Sequence, residues 1–427
     1  MKQCYLLFLF LTAMLGQAQT VRKEAIVIGR IDSLTSTVLK EKRKLWVYVP
    51  ESANDPTYLK QRYPVVYLLD GDDWFTTTTG VLQKLSEFPH SVCPEMIVVG
   101  IPNTNRTRDL TPSRATSAEF MPAAELKASG GGENFTAFLE KELIPYVNAH
   151  YPTSSHRTLI GHSFGGLLVM NTLLHHPTLF ENYVALDPSM FWDEEKLLKQ
   201  AHEILVQPRF AGRSLFVASA NTTGLDSVQA TKDLSVGGAF TRSKWTLRDE
   251  LARNRGNGLR SAYKYYPNDT HNSVPLPGTY DALRFLFQPY ALSPALTNDL
   301  MNPAAKIADA LEAHYRQVST QVGYPVLPPE SFVNEIAYYL LYVGQSTPAL
   351  ELFQLNVRNY PGSFNVHDSL GDYYAMQGQS ALAATAFTQA LQLKEFPATR
   401  QKLTQLQTKK QQPSKKSRAS RKHAVAG

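Results

Sequence analysis

The segment Leu159-Ile160-Gly161-His162-Ser163-Phe164-Gly165-Gly166-Leu167 constrains this chain more than any other. One apolar run enters it, another leaves it, and a serine stands between glycines. A turn too sharp for side chains beside the serine needs Gly161 and Gly165, and Gly166 adds room. The segment therefore predicts a buried strand, a tight turn and a helix that starts after Ser163. Such a turn holds a hydroxyl out at the tip of the strand. The plain alternative is an ordinary structural turn, and the neighbouring sequence has to decide.

Continuous apolar runs recur along the chain. Val65–Leu69, "MIVVGIP" (96–102), "HRTLIG", "YVALDPS", "RSLFVASA" and "SAYKYYP" read as strands, and residues 24 to 50 read as a hairpin region. Between 133 and 149, Phe135, Phe138, Leu139, Leu143 and Ile144 share a helical face. Buried strands alternating with helices predict an α/β fold, with a mostly parallel central sheet flanked by helices. Ligands of such sheets sit beyond the carboxyl ends of the strands, so the informative residues follow each strand.

A serine hydroxyl is a weak nucleophile until a base takes its proton. Of the 11 histidines, His271 is the candidate: it lies in "YYPNDTHNSVPLP", after the last strand and before a helix expected near Thr279. The side chain of His162 is expected to point elsewhere, and His175 and His176 fall on the helix after the turn. The acid that orients the imidazole is expected between serine and histidine in chain order. Asp226, in "NTTGLDSV", is the first candidate and Asp187, after "YVAL", its rival; a serine–histidine dyad stays open. Asp269, two residues from His271, reads as a loop-shaping residue. The oxyanion would be held by the N–H of Phe164 and by that of Gly71 or Asp72. Trp74, Arg108, Asp109 and Trp192 are candidate substrate-binding residues on neighbouring loops, with an internal Arg–Asp pair as the equal alternative for Arg108 and Asp109. No H-E-x-x-H, phosphate loop or dinucleotide glycine pattern is present, so neither metal nor organic cofactor is expected.

The two ends of the chain read differently from its body. Lys2 followed by the apolar run of residues 4–15 is too short to span a bilayer and reads as an export signal, cut after Ala18 between the small residues Gly16 and Ala18 and the next position. That predicts a periplasmic or extracellular protein with no transmembrane segment once mature. Cys93 is then the sole cysteine, read as a small buried hydrophobe, and no disulfide is expected. The net charge of +6 resides in Lys2 and the seven Lys and Arg of residues 409–427; the body is slightly acidic and carries no nucleic-acid footprint. Beyond about residue 293 strand signals stop. Tyr339/Tyr373, Gly344/Gly378, Ala349/Ala383 and Phe353/Phe387 match at an offset of 34, the period of the tetratricopeptide helix pair. The resulting division is 1–18 signal, 19–292 α/β domain, 293–328 helical connector, 329–397 helical repeats and 398–427 a basic irregular tail.

"YPVVYLLDG", "RTRDLTP", "ELIPYVNAHYP", "HRTLIGHSFGGL", "DPSMFWD" and "HNSVP" together resemble the putative esterase family of α/β-hydrolases, which includes enterobactin-type siderophore esterases, feruloyl and acetyl-xylan esterases and formylglutathione hydrolases. The likeness runs over about residues 25 to 290, and the carboxyl region resembles the tetratricopeptide extension of some secreted bacterial hydrolases. The resemblance implies a Ser163–His271–Asp226 triad acting on a small-molecule ester, whether a siderophore lactone, an acyl sugar or an aryl ester. A reading from another class is an inactive hydrolase fold that binds a protein partner through its helical repeats.

Overall fold

The computed structural model describes residues 25–87, 91–118, 120–224, 227–300, 302 and 304–411. The segment expected to be an export signal and the last part of the basic tail lie outside the described residues. Eight strands form one sheet in the order β1-β2-β4-β3-β5-β6-β7-β8. β1 (Arg30–Ser36) and β2 (Glu41–Tyr48) are the expected hairpin, antiparallel to each other, and β2 is antiparallel to β4 (Ile97–Ile101). From β4 through β3 (Tyr63–Leu69), β5 (Thr153–His162), β6 (Asn182–Leu186), β7 (Arg213–Ala220) and β8 (Leu259–Tyr266) all neighbours are parallel.

The continuous apolar runs have a simple cause. Alternate residues of a strand point to opposite faces, and here both faces are covered. In β3, Val65, Tyr67 and Leu69 join one core while Val66 and Leu68 join the other. Helix α1 (Gly71–Ser86) contributes Phe75 and Leu82 to the second core. On the first face lie α2 (Phe164–His175), α3 (Trp192–Ile204) and α4 (Val236–Arg253), through residues such as Leu167, Leu198 and Leu247. The predicted face of Phe135, Phe138, Leu139, Leu143 and Ile144 is buried there too. Helix α5 (Pro275–Leu286) starts four residues earlier than expected, at a proline suited to the first helical position, and brings Ala282 and Leu283 to the second core.

The carboxyl region is all helical: α6 (Ile307–Val322), α7 (Glu330–Tyr342), α8 (Ser346–Asn359), α9 (Phe364–Met376), α10 (Ser380–Leu393) and α11 (Pro397–Gln411). Both ends of α7 and α8 recur 34 residues later in α9 and α10. Ala349, Ala383, Phe353 and Phe387 are buried between helices, whereas Gly344 and Gly378 lie in left-handed turns rather than at a close helix approach. The tail expected to be irregular from 398 is instead helical to Gln411. Its Leu403 packs with Ala383 and Phe387, and Lys402 reaches Asp368 and Asp372 at 2.7 and 2.6 Å. Among the described residues no helix is long and apolar enough to cross a membrane.

Helices α6 to α9 share the core of the sheet, while α10 and α11 pack around a small cluster of their own. Leu311, Tyr315, Ile336 and Phe353 belong to the same cluster as Val66 and Leu283. Buried Glu330, at the start of α7, accepts hydrogen bonds from Ser363 and Asn365 of its own layer and from the Leu59 N–H of the α/β body. The molecule should therefore unfold in urea as one cooperative unit. Leu311→Ala, at a fully buried position, is expected to cost about 2–5 kcal/mol and to lower that single transition. A separate early transition of the carboxyl region alone would contradict the shared core.

Candidate active site

The turn after β5 has the strain its glycines imply. Ser163 has φ 60° and ψ −114°, a conformation a side chain normally avoids. A Cβ on Gly161 would lie 2.4 Å from the Gly165 carbonyl, so the strand and the helix can meet only without side chains there. The turn is held by backbone on both sides: the Ser163 N–H donates to the Leu186 carbonyl at 3.0 Å, and the Ser163 carbonyl accepts from Leu167 and Ser189. The Ser163 hydroxyl stands 3.3 Å from that of Ser189.

His271 comes from the loop after β8. Its Nδ1 donates to Asp187 Oδ2 at 2.7 Å, which leaves Nε2 with the lone pair of a base. His162, next to Ser163, holds this loop: its Nε2 donates to the His271 carbonyl at 2.8 Å, and the two rings are 4.4 Å apart. Burial, together with the neighbouring His271, pushes His162 down to about 4, so it acts as a neutral donor at neutral pH.

The carboxylate on His271 is thus that of Asp187, the rival of the sequence reading. Asp226 lies outside the described residues; its loop sends the Thr222 hydroxyl to Asp187 Oδ2 at 3.0 Å. Asp187 follows β6 in a left-handed conformation (φ 45°) and is fully buried. Its Oδ1 accepts from the Ala220 N–H at 2.8 Å and from Lys244 Nζ at 2.5 Å. Burial alone would raise its pKa and favour the neutral form, but His271, Lys244 and Ala220 prevail and hold the carboxyl below its ordinary value of 3.8.

Two helix N-termini flank the serine, and the first N–H groups of a helix have no intrahelical acceptor. Phe164 opens α2 and Gly71 opens α1. Gly71 is required because a Cβ there would lie 2.5 Å from the Ile101 nitrogen. Asp70, just before it, is left-handed and buried; Arg106 grips its carboxylate at 2.7 and 3.0 Å and also donates to the His162 carbonyl at 3.2 Å. One guanidinium therefore ties the Gly71 turn to the serine turn.

The structure separates the other candidates. Trp74 is half-buried with its ring edge-on to His162 at 5.5 Å, next to the site. Trp192 is buried, donates from its indole N–H to the Ser113 carbonyl and packs edge-on against Phe164 at 5.0 Å, so it supports the turn rather than facing a ligand. Asp109 is 1% exposed and paired with Arg43, equally buried, at 2.6 Å and with Arg108 at 2.7 Å, while Arg108 also reaches Glu41. This is the internal pair that fixes the loop, and Arg106 is the member of "RTRD" that reaches the site. An aromatic track escaped the sequence reading. Phe120, Phe191 and Phe240 follow one another at 5.6 and 5.3 Å, and Phe240 lies 5.2 Å from the His271 ring. No spacing in the sequence joins these three.

A serine on a strained strand–helix turn, a histidine–carboxylate pair at the next strand ends and two neighbouring helix N-termini are arranged as in serine hydrolases of the α/β-hydrolase class. Residues 36–234 match the family model described as "Putative esterase", and the chain belongs to that family of carboxylic ester hydrolases. It is 28% identical over 262 residues to the ferri-bacillibactin esterase BesA of Bacillus subtilis, covering 58% of this chain and 86% of that protein. It is 30% identical over 167 residues to a siderophore enterobactin esterase of Emericella nidulans, covering 35% of this chain and 52% of the other. The crystal structure of an IroE-like serine hydrolase from Shewanella oneidensis superposes with a TM-score of 0.67 at 31% identity, over 78% of this chain and 99% of that one.

Two outcomes follow from the buried charges. Asp109→Ala removes the buried carboxylate on Arg43 and leaves its charge to Glu41 alone, so urea denaturation should show a loss of roughly 3 kcal/mol while KM for a small aryl ester stays unchanged. For Asp187, a depressed folded value means that its stabilising contribution is complete above the ordinary carboxylate value and is lost as pH falls through the lower folded one. Urea stability measured downward from about pH 5 should accordingly fall less steeply in Asp187→Asn than in the wild type.

Proposed function

We propose that the protein is an exported serine esterase that cleaves an ester of a small molecule bearing aromatic groups, such as a siderophore lactone, through Ser163, His271 and Asp187. The observation that carries the reading is the 2.7 Å contact between His271 Nδ1 and Asp187 Oδ2 beside the strained turn of Ser163. His271 Nε2 takes the hydroxyl proton as Ser163 Oγ adds to the ester carbonyl carbon. Negative charge on the carbonyl oxygen meets the N–H groups of Phe164 and Gly71. Collapse breaks the C–O bond, and the alcohol leaves with the proton held by His271. Water then adds to the acyl-enzyme with His271 again the base, releasing the acid and Ser163.

The substrate class rests on two supports. The relatives named above are siderophore esterases, and the Phe120–Phe191–Phe240 track leads from an exposed ring to His271. Stacking on such a track suits a substrate that carries a flat aryl group better than a small acetyl ester. Export is read from the amino-terminal apolar run.

A fluorophosphonate probe should label the wild type and leave Ser163→Ala unlabelled. With a catecholate trilactone as substrate, Asp187→Asn should lower kcat by about 10⁴-fold. Phe191→Ala should raise KM for the aryl ester and leave that for an acetyl ester unmoved. A folded wild type that neither takes the probe nor turns over any ester of the panel would favour the inactive-fold reading.

A further inference from the structure

The steps above make no use of Lys244, although its ammonium is the cation nearest the acid. It stands on α4 with its side chain 1% exposed. Nζ lies 2.5 Å from Asp187 Oδ1, 3.1 Å from the Ala220 carbonyl and 4.2 Å from the centre of the Phe240 ring. Burying an ammonium is expensive, and an apolar side chain of similar length would fill the space without that cost. This one ends on the carboxylate that also holds the histidine.

The donors divide the carboxylate into two halves. Oδ1 takes Lys244 and the Ala220 N–H; Oδ2 takes His271 and the Thr222 hydroxyl. With Oδ1 pinned from two sides the group cannot turn, and Oδ2 stays aimed at Nδ1 of His271. There is also an effect of charge. An imidazolium beside a bare carboxylate is strongly favoured, whereas beside a carboxylate already paired with an ammonium it is favoured less.

We infer that Lys244 is a positioning residue of the hydrolytic site, which fixes the Asp187 carboxylate toward His271 and balances its charge. The inference rests on the serine-esterase reading. The other groups packed around the pair do not supply this cation. His162, at the end of β5, is neutral; Asp70 beneath it is matched by Arg106; Tyr263 and Tyr265 on β8 are held as phenols by burial.

Lys244→Met keeps the length of the side chain and removes the charge. Its kcat should fall at least tenfold with KM nearly constant, and the acid limb of log(kcat/KM) against pH should move up by about one unit. A purely structural lysine would lower kcat and stability with the limb in place, and that result overturns the inference. If Lys244→Met does not fold, the wild type decides. The ¹³Cε and ¹⁵Nζ resonances of Lys244 should report an ammonium at neutral pH, and a neutral amine overturns the assignment. Fluorophosphonate labelling run in parallel separates the two ideas. An unlabelled wild type removes the esterase reading and this inference with it; a labelled enzyme with an unmoved limb removes the inference alone.

Discussion

The carboxylate of Asp187 joins parts of the chain that lie far apart in sequence. It sits at the tip of β6, takes the Ala220 N–H from the end of β7, the Thr222 hydroxyl from the next loop, Lys244 from α4 and His271 from beyond β8. A fully buried carboxylate with fewer donors would revert to its neutral form or destabilise the fold. Once satisfied, it fixes the relative places of two strand ends, a helix and a loop. The orientation of the base follows from that arrangement, and with it the function.

A second buried carboxylate does comparable work on the other side of the serine. Asp70 carries the turn that opens α1 at Gly71, and Arg106 binds it while reaching the His162 carbonyl one residue before Ser163. The pair Arg43–Asp109 then anchors the loop from which Arg106 projects. Charge in this protein is spent on holding turns at the carboxyl edge of the sheet, where backbone N–H groups must point into the site instead of pairing with one another.

The helical region is best understood through the sheet face it covers. The second face of β3, α1 and α5 would otherwise expose part of a large apolar surface, and α6 to α9 cover it. That arrangement explains why two repeat units suffice where a free-standing solenoid needs more. The last helix, α11, closes the open side of the final pair with Leu403 and with Lys402 against two aspartates.

Local chemistry was legible along the chain. The apolar runs, the glycines around Ser163, the loop position of His271 and the 34-residue offset each depend on near neighbours, and each appears in the structure as an element or a turn. Helix α11 was masked by its basic composition, because what makes it fold is a partner surface on α10 rather than its own pattern. The choice between Asp187 and Asp226 could not be read in one dimension, since both follow a strand run in the sequence and the contact of Asp187 with His271 joins segments far apart. The roles of Trp192, Asp109, Lys244 and the Phe120–Phe191–Phe240 track are likewise matters of direction and burial. Periodicity and steric need are written in consecutive residues, so the sequence by itself determined the fold class, the turn at Ser163 and the loop position of His271. Which carboxylate meets that histidine, and which charge balances it, was decided only by tertiary structure, because both depend on groups brought together from distant segments by the packing of the sheet.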